Sequence, residues 1–348
     1  IFALSTVGAG LFVGTPLLGG EAPRRTRMGL VTYALGIHQK NSWGGRHSGL
    51  TPAMALLEEA HDLGAAGIQV EINPQDLAQG PELRRKAEGW QMYIEASFSP
   101  PKSADDVERF DQCVRAAQAA GATLARTVIM PGRRYEQFKS IEEFHAAERA
   151  GLQALQWADP VLVRRQFRLA VENHKDQRIS EKLATLKQLG SDRVGLCVDV
   201  GNSFTLMEDP LEVARAYAPF AFSAHFKDQA VQECFQGFLF ADLPLGKGFL
   251  DLAALSRTLL TANPALHLNL ELITRDPLVV PVFDERFWVT MPDLPARDLA
   301  RVIAVVKNAG SRAPFPVISQ LPVERQLAME LDNVTQSLTF ARDRLGMI

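Results

Sequence analysis

A chain of 348 residues can hold one large α/β domain or two ordinary ones, and its 47% hydrophobic and 22% charged content is that of a folded globular protein. A formal net charge of −3 argues against a polyanionic partner, so no nucleic acid is expected. Three scattered cysteines, Cys113, Cys197 and Cys234, exclude a disulfide framework and a CxxC site.

The first twenty residues, IFALSTVGAGLFVGTPLLGG, carry no charge, and the EAPRRTR that follows carries three arginines. This segment reads as a secretory signal core, which predicts an exported protein, periplasmic or secreted. A membrane anchor and a strand of the fold are the alternatives, because about twenty apolar residues just span a bilayer. Residues 1–27 are therefore set apart as a signal-like segment and linker, with a barrel over 28–310 and a helical extension over 311–348.

From residue 28 apolar runs alternate with amphipathic ones. MGLVTYAL (28–35) predicts a strand and 51–63 a helix; GIQVEI (67–72) is the second strand, followed by a helix at 81–88. WQMYIEASF (90–98) and TLARTVIM (123–130) are strands three and four, with helices at 105–120 and 141–157 behind them. FRLAVENH (167–174), VGLCVDVGNS (194–203), FAFSAHFKD (220–228) and HLNLELIT (267–274) complete eight, with helices at 180–189, 210–217 and 250–261 and a closing helix at 295–308. Continuous apolar strands separated by helices predict an α/β fold, a (β/α)8 TIM barrel of parallel strands with right-handed crossovers. Two stretches exceed it. The loop 275–296 carries Phe283, Phe287 and Trp288 and is expected to cover a substrate or complete a neighbour's pocket. A terminal helix at 323–344 is expected outside the barrel, and with that loop it offers a route to a homo-oligomer.

The last four strands repeat one design, an apolar run that ends in an acid or a histidine. A carboxylate there serves no packing purpose, and the C-terminal edge of a parallel barrel is where chemistry collects. Glu172, Asp199, His225 and Glu271 follow one another at 27, 26 and 46 residues, each gap wide enough for a crossover helix. Adjacent strands would bring them together as three carboxylates and one imidazole. That oxygen-rich set suits Mn²⁺ or Mg²⁺, and accepts Co²⁺ or Zn²⁺, better than a thiolate site would. The alternative is four unrelated rim residues in salt bridges and caps.

VENH, CVDVGN, AHFKD, PLGKG-x-x-D (244–251) and LELI, in that order, resemble the xylose isomerase-like TIM barrels, a group of sugar and sugar-phosphate isomerases and epimerases, dehydratases, and endonuclease IV enzymes. The resemblance implies that Glu172, Asp199, His225 and Glu271 are ligands of a divalent metal, Mn²⁺ foremost. It also implies that Glu172 and Glu271 move protons on opposite faces of a small carbohydrate bound by carbonyl and hydroxyl, through a metal-stabilised enediolate.

His174 and Lys227 lie two positions past ligands and share their face; they are candidates for substrate binding, with Asn202, Asp228, Glu71, His38 and Arg126. Surface or ion-pair roles compete for each. Glu71 and His38 are read as the ends of strands two and one. Arg126, within strand four, demands a carboxylate partner or a substrate anion if buried. Cys197 is read as core packing. Two departures from the ketose 3-epimerases bear on the reaction: Asn202 stands where they carry histidine, and Val231 where they carry arginine. A metal-dependent isomerase or epimerase is therefore the first expectation. A dehydratase or lyase on a keto-sugar or inosose follows, and a non-catalytic carbohydrate-binding barrel is the rival outside enzymology.

Overall fold

The computed structural model describes residues 26–348. The apolar segment read as a signal core lies outside the described residues. Among the described residues no helix is long and apolar enough to cross a membrane.

Eight strands form the closed parallel barrel expected from the sequence: β1 (Gly29–Val31), β2 (Gly67–Glu71), β3 (Tyr93–Ser97), β4 (Leu124–Thr127), β5 (Arg168–Glu172), β6 (Val194–Asp199), β7 (Ala221–Phe226) and, after a two-strand excursion, β10 (Leu268–Leu270). β10 pairs with both β7 and β1 and so closes the ring. The predicted strands exist, trimmed by a few residues where their ends turn into loops. The helix predicted over 141–157 runs further, as Ile141–Arg165, through Pro160, which lies on its exposed side, where the carbonyl left without an N–H is open to solvent.

Strand alternation sends every second side chain into the barrel. At the N-terminal end Tyr93 plugs the bore. A Cβ added at Gly29 would lie 2.2 Å from its hydroxyl, and one at Gly67 2.4 Å from its ring, so both positions must lack a side chain. Above Tyr93 comes a polar layer with Gln69, Glu95, Ser223 and Asn269, all buried, with Cys197 packed beside Leu124 and Ala170. Above that, at the C-terminal rim, stand Glu172, Asp199, His225 and Glu271.

The excursion was not visible in the sequence. β8 (Asp228–Cys234) and β9 (Gly237–Leu243) form an antiparallel hairpin directly after β7, and β11 (Leu278–Val280) adds to it from the loop after β10. This small sheet has its own core of Phe204, Val231, Phe238, Phe240, Val280 and Phe287. The long loop 275–296 is therefore partly a strand, and two of its three aromatics are taken up in packing. Phe287 is fully buried beside Tyr135, Trp288 donates its indole N–H to Val282 O, and Phe283 alone is exposed, at 62%.

The closing helix is corrected. Ala296–Ala309 packs Val302 and Val306 on the small sheet, whereas Val323–Leu345 sends Val334, Leu338 and Ala341 into the main core. The terminal helix thus takes the eighth place in the helical ring. Glu330 fastens it, accepting from the Ile37 and His38 backbone N–H groups at 2.8 and 2.9 Å and meeting His38 Nδ1 at 2.8 Å. Farther on, Met347 O accepts from Thr26 Oγ1 at 2.8 Å and from Arg27 N at 3.0 Å, beside the start of β1.

One buried acid makes the fold sensitive to pH. Burial pushes the Glu208 carboxyl up to about 7; the Ile179 N–H and Arg178 oppose this only in part, and Oε2 has no hydrogen-bond partner. A raised carboxyl binds its proton more tightly folded than unfolded, so stability is lost as pH rises from the unfolded value through about 7. The shift corresponds to on the order of 3 kcal/mol. Glu208→Gln, which keeps an acceptor for Ile179, should raise the melting temperature at pH ~8 and leave it nearly unchanged at pH ~5.

Candidate metal centre

Each residue of the rim cluster is placed by its own strand. Glu172 ends β5, Asp199 ends β6, His225 lies near the end of β7, and Glu271 follows β10. One ligand atom from each lies within 4.8 Å of all the others. Ligands on opposite sides of a hard divalent cation, at about 2.0–2.6 Å each, are separated by a similar distance.

Asp199 is pinned from behind. Its Oδ1 accepts from the backbone N–H of Gly201 at 2.9 Å and Asn202 at 2.8 Å, which aims Oδ2 at the centre. The Asn173 amide holds the backbone at the same point, accepting from Asp199 N at 2.8 Å and donating to Asp199 O at 2.9 Å. Glu172 has both oxygens engaged: Arg126 grips Oε2 through Nε (2.6 Å) and Nη2, and Asn202 Nδ2 donates to Oε1 at 3.2 Å. Arg126 thereby finds the carboxylate that its burial demanded.

His225 is the centrepiece. Its Nε2 meets Gln69 Oε1 at 2.7 Å, which assigns the N–H to that side. Nδ1 makes no hydrogen bond, although it lies 3.3 Å from Glu271 Oε2, 3.6 Å from Glu172 Oε2 and 4.0 Å from Asp199 Oδ2. A lone pair facing three carboxylate oxygens, with the other nitrogen held by a neighbour, is the arrangement of a metal-ligating histidine. The residues therefore fit a divalent cation.

Without a cation the charge is balanced by side chains. Lys227 Nζ lies 2.5 Å from Glu271 Oε2 and 2.7 Å from Asp199 Oδ2, the latter at an angle that makes it an ion pair rather than a directed hydrogen bond. Burial alone raises the Glu271 carboxyl, but His225 and Lys227 bring it well below the usual carboxylate range; for Asp199 burial prevails over Lys227 and the shift is upward. Burial lowers the His225 imidazolium, yet Cys197, Glu271 and Glu172 turn the net shift upward. A divalent cation competes with protons for these carboxylate and imidazole groups. Its apparent affinity should fall as pH falls, with proton release visible by calorimetry in two buffers of different ionisation heat.

The other expected site residues separate into two groups. Asn202 is at the centre, and Glu71 is exposed on the rim at the end of β2, where it lines a cavity. His174 is half-buried. Burial lowers its pKa, and Glu172 only partly offsets this. Two expectations are corrected. His38 is not at a strand end but on the short helix Gly36–Lys40, held by Glu330 away from the centre. Asp228, expected to bind substrate, is committed to the backbone. Its two oxygens accept from the backbone N–H groups of Gln229, Gly246, Gly248 and Leu250, so it anchors the PLGKG turn.

Sequence reading missed Gln69, Glu95, Asn173 and Lys175. Gln69 and Glu95 interrupt apolar strands, and a polar residue at mid-strand was the signal that the bore is not a simple packed core. Lys175 is buried with a left-handed backbone (φ 57°); its ammonium donates to Asn202 Oδ1, and burial lowers its pKa to about 8. Nothing in a single lysine after VENH foretold that.

Beside the centre lies a polar cavity of about 390 Å³ over β1 to β4, lined by Thr32, Glu71, Asn73, Ser97, Phe98 and Ser99 among others. Gln69 and Arg126 also line it, and these two contact His225 and Glu172.

Comparisons place this geometry. Over 95 residues, 27% of the chain, it is 33% identical to 3-oxo-isoapionate decarboxylase of Pectobacterium atrosepticum, a match that spans 34% of that relative's length. Solved structures match over most of their length at low identity. L-ribulose 3-epimerase superposes with a TM-score of 0.55 over 92% of this chain and 96% of its own, at 16% identity. D-psicose 3-epimerase, solved in the presence of D-fructose, gives 0.54 over 86% and 95%, at 13% identity. A probable 3-DHS dehydratase of Bacillus anthracis gives 0.53 over 81% and 98%, at 14% identity. Identities this low speak for the fold alone. The model of one family matches residues 57–288, the greater part of the barrel, and the chain belongs to that family, the xylose isomerase-like TIM barrels.

Proposed function

We propose that the protein is a divalent-cation-dependent isomerase or epimerase of a small free carbohydrate, acting by proton removal from the carbon beside a carbonyl. The observation that carries this reading is the bare Nδ1 of His225 among three carboxylates, opening beside a polar cavity of about 390 Å³. That volume suits a small polar molecule. A cation bound by Glu172, Asp199, His225 and Glu271 would polarise the carbonyl and stabilise negative charge on its oxygen; the oxygen-rich donor set favours Mn²⁺ or Mg²⁺.

The chain's own groups supply the rest. Glu271 keeps 4% exposure where Glu172 and Asp199 keep none, and among the described residues no donor is hydrogen-bonded to its Oε1. It is the carboxylate placed to take the proton. Glu172, held by Arg126 and Asn202, is oriented to return one on the other face. Lys227 stands where it compensates charge at Glu271 as the proton moves. Ser97, Ser99, Asn73 and Glu71 present hydrogen-bonding groups to hydroxyls.

Loss of a β-hydroxyl or of a carboxylate instead of reprotonation is the second reading. It is favoured by Val231, which replaces the arginine of ketose 3-epimerases and is fully buried in the core of the small sheet, with no group to offer a substrate. Screening ketoses and keto-sugars in D₂O with Mn²⁺ separates the two. An epimerase incorporates deuterium and conserves mass otherwise; a lyase releases water or carbon dioxide. Turnover should vanish with chelator and return with cation. Turnover unaffected by complete cation removal would reject both readings.

A further inference from the structure

Below the cation site, the middle layer of the bore is built around one carboxylate. Glu95 is 1% exposed, and among the described residues no lysine or arginine pairs with it. Four donors converge on it instead. Oε2 accepts from Gln69 Nε2 at 2.9 Å, Ser223 Oγ at 2.7 Å and Asn269 Nδ2 at 3.0 Å, and Oε1 meets His267 Nδ1 at 2.8 Å. Barrel interiors are ordinarily filled by branched apolar side chains, and a buried carboxylate is a costly filler. A structural role alone leaves that cost unexplained.

The orientation of Gln69 supplies an explanation. An ionised carboxylate only accepts, so Gln69 must turn its NH₂ toward Glu95 and its carbonyl oxygen toward His225. An acceptor at His225 Nε2 requires N–H there, and a neutral imidazole carries one N–H, which leaves Nδ1 as the lone pair facing Glu172, Asp199 and Glu271. With Glu95 replaced by an apolar residue, the Gln69 amide is free to turn over. Its NH₂ would then favour the tautomer with hydrogen on Nδ1, the form that cannot bind a cation there.

We infer that Glu95 is a positioning residue: acting through Gln69, it fixes which ring nitrogen of His225 is offered to the cation. This rests on the reading that the rim cluster holds a divalent cation. Neither Glu95 nor Gln69 needs to touch substrate for the effect.

The test compares Glu95→Met with Glu95→Gln in the full chain. Gln at 95 keeps an oxygen for the three donors at the Oε2 position and should bind Zn²⁺ and Mn²⁺ close to wild type. Met at 95 should weaken both by ~10–100-fold in calorimetric titration, the usual effect of losing an outer partner of a ligating histidine. In the Zn²⁺-loaded protein, long-range ¹H–¹⁵N correlations should show His225 with N–H on Nε2 and metal on Nδ1 in wild type and Glu95→Gln, and lose that single pattern in Glu95→Met. If Glu95→Met does not fold, Gln69→Met carries the test, since it removes the same acceptor and leaves Glu95 three donors. Unchanged affinity and an unchanged imidazole pattern in the Met variant would overturn the inference while leaving the cation site standing. Wild-type protein that takes up neither Zn²⁺ nor Mn²⁺ would instead overturn the reading of the site beneath it.

Discussion

Replacement of Glu271 by glutamine should lower turnover by ~10²–10⁴-fold, the range for loss of a general base, while the protein still binds its cation. The amide keeps an oxygen for the metal and loses the basicity. Glu172→Gln should also slow turnover, yet the two variants should differ in exchange. Glu271 has the open edge, so its variant should stop deuterium entering the starting carbohydrate. Glu172 is engaged by Arg126 and Asn202, and its variant should leave that exchange in place while blocking product. Steady-state kinetics, metal analysis and NMR of the recovered substrate read all three quantities. If both variants regain full activity in excess cation, they are ligands only, and the proton carrier lies among His174, Lys175, Lys227 and Glu71.

The asymmetry between the two glutamates could not be read from the sequence, although their presence could. Strand ends are legible because a run such as VGLCVD must be buried on both faces, and the acid that closes it must then sit at the mouth. That rule places the four strand-end residues at one rim, and the resemblance is what implies that they are ligands. What surrounds them does not follow from the rule, because the contacts join distant segments: Arg126 on β4 meets Glu172 on β5, and Gln69 on β2 meets His225 on β7 across the bore. The small sheet escaped for a related reason. FAFSAHFKD runs from a parallel strand into an antiparallel one with Lys227 as the hinge, and no glycine or proline marks the change. The choice of closing helix failed on periodicity. Ala296–Ala309 is the more strongly amphipathic, but its apolar face belongs to the second core, and the barrel is closed by a helix that begins after Pro322.

Substitution of Lys227 by methionine should destabilise the cation-free protein more than any other single change at the site. The ammonium is 2% exposed and lies within 2.7 Å of both Asp199 and Glu271; removing it leaves two buried carboxylates without their compensating charge. Breaking a buried pair in this way costs about 3–5 kcal/mol. The cost should depend on pH with a definite sign. Burial already shifts Asp199 upward against the opposing pull of Lys227, so the variant pushes it further. A carboxyl raised in the folded state binds a proton there more readily than in the unfolded chain, and stability falls as pH rises through the shifted value. The deficit of Lys227→Met against wild type should therefore be small at pH ~5 and large at pH ~8 in thermal melts with chelator present. A bound cation supplies the missing charge at the same oxygens, and binding to the folded state alone stabilises by mass action. Saturating Mn²⁺ should therefore raise the melting temperature of the variant more than that of wild type, while turnover stays low because no ammonium remains beside Glu271. A deficit that is the same with chelator and with cation would mean that Lys227 compensates a purely ionic cluster, and that the four strand ends do not share a metal.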